Sequence, residues 1–517
     1  MKSTLSWTKA LVLLAVVVCV FGGTVFGQPW DGNGVEGDPY LIYDANDMQA
    51  IGADANYWDA HFKLMADIDL SAYTGTSFNM IGKYDYTREK GFEGTFDGNE
   101  HIISSLSIDA PVNSTYRGLF GYIGSTGEVK NLGLGDVNVM GGRIGGLAGR
   151  NDGEIYNCWT SGLVQSGWSK LGGLVGVNYG LLDYCHSAGE VIARADCVPD
   201  VGGLVGENAH TGTISNCHST CYVLGTDVYV GGLVGRSSGL ITRSYSTGTV
   251  ICTNDCYEAD LTGGLTGRNN SIIRESFSTS TVSGKYRVGG LVGENLGTIA
   301  NCYSVGSVSG DEQIGGLVGR NCEIIDYCYS KASVSGNSEV GILVGDSWTG
   351  TYNSCFWDAE LYPDINGIGD GSDPNAIGES TANMQTASTF TDAGWDFNTP
   401  IWKMCNGPNY PQLWWEECPE AATLLDVVST MLDPNNLKNS NMKNALINKI
   451  NAVLQMIDEG QYEGALNKLE NDILAKTDGC AETGEPDKND WIITCEGQNQ
   501  VYPLIMETIE YVRSLME

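Results

Sequence analysis

The hydrophobic positions of this 517-residue chain recur in a fixed register through its middle. Leu119, Leu147, Leu174, Leu204, Leu233, Leu265, Leu291, Leu317 and Leu343 follow one another at intervals of 28, 27, 30, 29, 32, 26, 26 and 26 residues. Most sit in a glycine-rich phrase: GGLAG at Gly145, GGLVG at Gly172, Gly202, Gly231, Gly289 and Gly315, GGLTG at Gly263, and GILVG at Gly341. A constant period in this range marks a solenoid or array. Two more apolar rows keep the same period. One holds Ile155, Leu182, Ile214, Ile241, Ile273, Ile299, Ile325 and Tyr352; the other holds Val164, Val191, Val223, Val250, Val282, Val308 and Val334. Both rows are expected to face inward. The residues between are β-branched, aromatic, Ser/Thr and Gly, with no helical run, so each period reads as about three short strands separated by corners. Two positions ahead of a Cys/Ser row vary freely (Tyr156 and Asn157, Asp183 and Tyr184, Arg274 and Glu275), as at a bend with both side chains outside.

A single coil of this kind leaves both edges unpaired and its apolar face half covered. Stacking pairs each strand with its copies above and below, which predicts a mainly β chain, a parallel β-helix of about nine coils. The paired glycines suit a corner where neighbouring backbone comes close. A phosphate cradle would need a GxGxxG between strand and helix or a GxxxxGKS/T, and neither occurs.

Beyond residue 418 the period becomes helical. Leu424, Val427, Val428 and Met431 form one stripe, and Leu446, Ile450, Val453, Leu454 and Ile457 a second. Ala465, Leu466, Leu469 and Ile473 form a third, and Leu504, Ile505, Ile509 and Val512 a fourth. Four such stripes predict a small all-α helical bundle. The predicted organisation is therefore a signal peptide over 1–27, an amino-terminal cap and first strands over 28–117, repeats over 118–355, an aromatic-rich cap over 356–418 and the bundle over 419–517. The leader is read from Lys2 and Lys9, the apolar run over 10–21, and Val25-Phe26-Gly27 ahead of Gln28. A short helix is expected over 46–55. No later stretch approaches the ~18 consecutive apolar residues of a membrane helix, so the mature chain is expected to lack a transmembrane segment.

Charge narrows the partners. The formal charge is −35, and loss of Lys2 and Lys9 with the leader makes it −35 − 2 = −37. Such acidity repels phosphate backbones and anionic lipid, which argues against nucleic acid. Asp31-Gly32-Asn33-Gly34 and Asp370-Gly371-Ser372-Asp373 read as Asx/Gly turns, with Ca2+ the one candidate cofactor, although neither has the full spacing of a calcium loop.

Fourteen of the sixteen cysteines fall into two groups. Cys158, Cys185, Cys217, Cys302, Cys328 and Cys355 share a row with Ser244 and Ser276. Parallel Cβ atoms ~4.8 Å apart are too distant for the ~3.8 Å a disulfide prefers, so these read as stacked buried thiols. Off that row, candidate disulfide pairs are Cys405 with Cys418, Cys480 with Cys495, and Cys252 with Cys256, while Cys197 and Cys221 lie in or near the two long coils. No CxxC occurs, which disfavours zinc.

The next row holds Trp159, His186, His218, Tyr245, Phe277, Tyr303, Tyr329 and Phe356. It reads either as a stack that stabilises the rod from coil to coil or as an exposed strip for a polysaccharide. Arg150, Arg236, Arg268 and Arg320 recur just after the glycine phrase and suggest an outward stripe. These arginines, with Trp159, Tyr245, Tyr303 and Tyr329, are the candidate ligand-binding residues. His186 and His218 are the one histidine pair; a metal or catalytic role would need a further group, and no metal ligand set is identified.

The phrase GGLVGENLGTIANCYS over 289–304 resembles the GLUG repeat of large secreted and surface-attached bacterial proteins. The preceding phrases DPYLIYDANDMQAI (38–51), LMADIDLS (64–71) and FEGTFDGNEHIISSLSI (92–108) agree with what introduces such repeats. The resemblance spans about residues 30–415. It implies a right-handed solenoid, export, and a place outside the cell or on its surface. It implies no reaction, and the HExxH of a zinc-protease companion is missing from the five histidines. MKNALINKINAVLQMIDEGQYEGALNKLENDIL (442–474) resembles FIMAH modules, which implies that the bundle docks another protein. The expected function is a non-enzymatic, adhesin-like or structural surface protein that binds extracellular polysaccharide or a surface protein. The alternative is a polysaccharide lyase or glycoside hydrolase built on the same fold.

Overall fold

The computed structural model describes residues 30–514 apart from 86–87, 112–114, 195–199, 227–228, 254–259, 400, 406–408, 417–427, 429–435, 459, 484, 487 and 489. The leader over 1–27, Cys197, Cys256, Cys418 and the stripe residues Leu424, Val427 and Met431 lie outside the described residues.

The chain is mainly β and winds into a parallel β-solenoid of about nine turns. One coil runs through strands Tyr286–Gly289, Val292–Asn295, Thr298–Ala300, Tyr303–Ser304 and Ser307–Ser309. These are five segments where three were expected, because the third side is broken by a bend and a kink. The ladders still form three large sheets, of seven, ten and 28 strands. Successive coils pair in parallel and in register, with Gly289 opposite Gly315, Val292 opposite Val318, Ile299 opposite Ile325 and Val308 opposite Val334. The leucine, Ile/Tyr and valine rows are all buried and form one continuous core.

Two local features make the coil close. The residue just before the Cys/Ser row is left-handed in every repeat, from φ 49° at Asn157 through 53° at Asn301 to 47° at Ser354. Asn suits this region, while Tyr184, Arg243 and Glu275 adopt it against a cost of roughly 1–2 kcal/mol each. At the glycine corner the constraint is space. A Cβ on Gly290 would lie 2.0 Å from the Gly316 carbonyl oxygen and 2.3 Å from Ser304 Oγ, both fixed by the stack.

At the amino-terminal end, helix Ala45–Ala53 starts at a capping box in which Asp44 accepts from the Asn46 and Asp47 N–H groups and Asp47 reciprocates. At the other end the chain divides into two compact units between Ser380 and Thr381. The segment expected to be one cap over 356–418 is thus divided. Its first part extends the solenoid, since Cys355–Asp358 pairs in parallel with Ala376–Glu379 and Val344–Ser347 with Ile368–Asp370. Ile368 and Ala376 fill core positions there without the glycine phrase that flags the earlier coils.

The second unit contains a cluster of Phe390, Trp395 and Trp402, with ring centroids 4.8 and 4.5 Å apart. Its helices include Ser440–Asp458, Tyr462–Lys468 and Cys495–Ser514. Leu446, Ile450, Val453, Leu469, Ile473, Ile505 and Ile509 form their core. Val453 takes the inward place and leaves Leu454 38% exposed, unlike the expected stripe, because consecutive helical residues cannot share a narrow face. Cys480 and Cys495 form a disulfide with Cα atoms 5.5 Å apart.

Candidate functional site

Tyr303 lies between Cys302 and Ser304, which both point into the core, so the aromatic row projects to the opposite side of the strand. From His186 to Tyr329 the rings stack face to face at 4.7, 4.8, 4.9, 4.9 and 5.0 Å, with planes within 7°. Trp159 continues the column 6.0 Å from His186, and its far side covers Gly133, where a Cβ would meet it at 2.5 Å. Trp159, Tyr245, Tyr303 and Tyr329, expected as candidate ligand-binding residues, thus stand in this column. Sugars pack on ring faces, and from His186 to Tyr303 both faces of each ring lie against neighbouring rings. Tyr303, Tyr329 and Phe356 are moreover buried.

The arginine stripe exists, but acids interleave it. In register after the glycine phrase stand Arg150, Val177, Glu207, Arg236, Arg268, Glu294, Arg320 and Asp346. Arg236 meets Glu207 at 2.7 Å, Arg268 meets Glu294 at 3.4 Å, and Arg320 meets Asp346 at 3.1 Å. Arg150 grips both oxygens of Asp152 at 2.6 Å and lies 4.6 Å from the ring centroids of Tyr84 and Tyr179. Burial and the Asp152 carboxylate push the neighbouring Tyr122 phenol up. The four arginines expected to meet a ligand are therefore engaged by groups of the chain itself.

One group in this network differs chemically. Lys170 Nζ lies 2.5 Å from Asp200 Oδ2 and 2.6 Å from Glu207 Oε2, and Arg236 Nε reaches Asp200 Oδ1 at 3.1 Å. The Asp200 side chain is 1% exposed, and burial pushes its carboxyl up against the opposing pull of Lys170 and Arg236.

Sequence reasoning missed the asparagine that closes each GGLVGxN phrase. Asn151, Asn178, Asn208, Asn269, Asn295 and Asn321 are fully buried. Asn178 donates to Asn208 at 3.0 Å, Asn269 to Asn295 at 2.8 Å and Asn295 to Asn321 at 2.9 Å, while Ser237 accepts from Asn208 at 3.2 Å. Their recurrence was the available signal. Tyr184 (56% exposed) and Tyr156 beside it point outward at the bend, as expected, whereas Trp168, Tyr222 and Trp348 (68% exposed, over Arg320) are exposed aromatics that sequence reasoning missed.

The ladder thiols Cys158, Cys185, Cys217, Cys302, Cys328 and Cys355 are buried and not disulfide-bonded, and burial pushes Cys355 up to about 12. Cys252 is buried, and Cys405 is disulfide-bonded. His218 stacks on His186, and burial, then the neighbouring imidazole, pushes it down to about 4. Asn33 donates to Asp38, and Asp373 accepts from the Asn375 N–H at 2.8 Å, so both candidate calcium turns carry local hydrogen bonds. Among the described residues no three His, Cys, Asp or Glu side chains gather as a metal site.

Fold and columns define a parallel β-solenoid. Residues 200–220, 226–251 and 284–309 match the model of the GLUG motif. The chain is 34% identical over 148 residues to Halomucin of Haloquadratum walsbyi, covering 28% of this chain and 2% of that protein. It is 37% identical over 135 residues to a candidate Gly-rich membrane protein of Evansella cellulosilytica, covering 24% and 15% respectively. It thus spans only a small part of the curated relatives it matches. Among solved structures, a candidate immunoglobulin A1 protease of Bacteroides ovatus matches at 19% identity and TM-score 0.30, over 75% of this chain and 95% of that one. A second IgA1 protease matches at 13% and 0.34, over 79% and 28%. Likenesses this weak carry no argument about activity. Among the described residues no helix is long and apolar enough to cross a membrane.

Proposed function

We propose that this chain is a non-enzymatic extracellular or cell-surface protein, an adhesin-like or structural rod that meets polysaccharide or a protein partner. The observation that carries this reading is that the repeating outward columns are satisfied from coil to coil, Arg236 by Glu207 and Tyr303 by its stacked neighbours. Chemistry spent on the rod's own cohesion suits a stalk. Contact with a partner then falls to the exposed aromatics outside the columns, Tyr184 and Trp348 above all. The names of the relatives, Halomucin and a Gly-rich membrane protein, support a place at or beyond the cell surface, and the leader expected over 1–27 supports export. The helical unit is the docking module of this reading.

The test follows retention of purified protein on neutral and acidic polysaccharides together with release of reducing or unsaturated ends. Retention without release, lost in a Tyr184→Ala/Trp348→Ala variant of unchanged circular dichroism, is expected. Release of new ends would establish the lyase or hydrolase reading instead.

A further inference from the structure

We propose that Lys170 and Asp200 form an intramolecular isopeptide bond that ties two successive coils together. Leu171 and Gly172 pair in parallel with Val201 and Gly202, so Lys170 and Asp200 occupy adjoining places one step earlier in the same register. Lys170 takes the left-handed conformation, φ 57°, immediately before its strand. Its ammonium nitrogen touches the Asp200 carboxyl at 2.5 Å, with Glu207 on the same nitrogen at 2.6 Å.

The neighbouring ion pairs cannot do this chemistry. The guanidinium groups of Arg236, Arg268 and Arg320 are no nucleophiles, whereas a lysine amine is one. Lys90 pairs with the exposed Asp59 and Lys449 with the half-exposed Asp472, whereas the Asp200 side chain that Lys170 meets is sealed from water at 1% exposure. Burial favours the neutral acid at Asp200, the state that condensation requires.

The four side chains divide the work. Glu207 takes a proton from the Lys170 ammonium and passes it to Asp200 Oδ2, leaving a neutral amine beside a neutral acid. Nζ attacks Cγ, the Nζ–Cγ bond forms, and the charge that develops on Oδ1 faces the cationic Arg236 guanidinium, whose Nε is 3.1 Å away. A second proton moves from Nζ through Glu207 to Oδ2, the Cγ–Oδ2 bond breaks, and water leaves. Ammonium and carboxylate become amide and water, with no oxidant, reductant or metal required. The product would fasten neighbouring coils covalently at the edge of the long interval between Leu174 and Leu204.

The experiment is intact-mass spectrometry of the full exported chain after reduction and alkylation, followed by trypsin. The expected result is a mass lower than the sequence by one water, no cleavage after Lys170, and a branched peptide joining Lys170 to Asp200. Lys170→Arg should restore the sequence mass, and Glu207→Gln should leave most molecules unlinked while circular dichroism stays native. The sequence mass in the unaltered chain, with normal cleavage after Lys170, would overturn the proposal. So would a Lys170→Arg chain that keeps the water loss.

Discussion

The asparagine column offers the sharpest test of how the rod holds together. Asn295 is fully buried; its Nδ2 donates to Asn321 Oδ1 at 2.9 Å and to the Gly297 carbonyl at 3.0 Å, while its Oδ1 accepts from Asn269 at 2.8 Å. Asn295→Leu keeps the volume and removes these bonds together. Asn269 retains the Ser271 carbonyl at 3.2 Å, and Asn321 retains the Glu323 N–H at 3.4 Å, so neither neighbour is left wholly bare. With an unsatisfied buried group costing about 1–3 kcal/mol, loss of the link should destabilise by about 2–4 kcal/mol. Asn295→Ser should cost only about 1 kcal/mol, because Ser237 already holds this place in another coil and accepts from Asn208. Guanidinium denaturation followed by circular dichroism reads the sum. Hydrogen exchange at the amides of the coils on either side reads the local effect, since a stack of repeats need not unfold in one step. A leucine variant within ~0.5 kcal/mol of the parent would refute the column as a source of stability.

Three further outcomes are expected. Gly290→Ala should cost about 3 kcal/mol or more, or prevent folding, because its Cβ meets fixed backbone at 2.0 Å, whereas Gly37→Ala, with nothing within 4 Å, should be near neutral in the same melt. The ladder thiols should ignore an alkylating reagent in the native protein and react in denaturant, as counted by mass, because burial holds Cys355 at about 12 and lifts Cys158, Cys217 and Cys328 as well. His218 is neutral in the fold down to about pH 4 but takes a proton near pH 6.5 when unfolded, so the unfolded chain binds more protons between those values. Stability should therefore fall as pH drops from 6.5 to 4, by roughly 1–2 kcal/mol after allowing for the ring's partial exposure. His218→Tyr, which matches its stacked neighbour Tyr245, should flatten that part of a stability-versus-pH profile.

How much could be read in advance depended on whether a position answers to its own copies or to different residues. Ile299 meets Ile325 and Val308 meets Val334, so each inward row could be written down by superposing periods. The thiol row followed equally, because Ser244 and Ser276 marked it as small and buried. Outward positions behave otherwise. Arg236 meets Glu207 in the coil before it and Asp200 from the strand across the corner, neither of which is an arginine, so superposing the arginines alone hid the acids between them. The aromatic row was legible as a row, but its ring planes depend on rotamers that a period does not specify.

The repeat by itself determined the parallel stack, the inward leucine, isoleucine and valine rows, and the glycine corner, because stacking forces equivalent residues into contact at every turn. Tertiary structure alone decided that the arginines are neutralised from within, that the ring faces are consumed, that asparagines bridge the interior, and that the solenoid runs on to residue 379 before the break at Ser380. Those outcomes arise between unlike residues of neighbouring coils or beyond the last repeat, where identity at one position carries no information about what stands opposite.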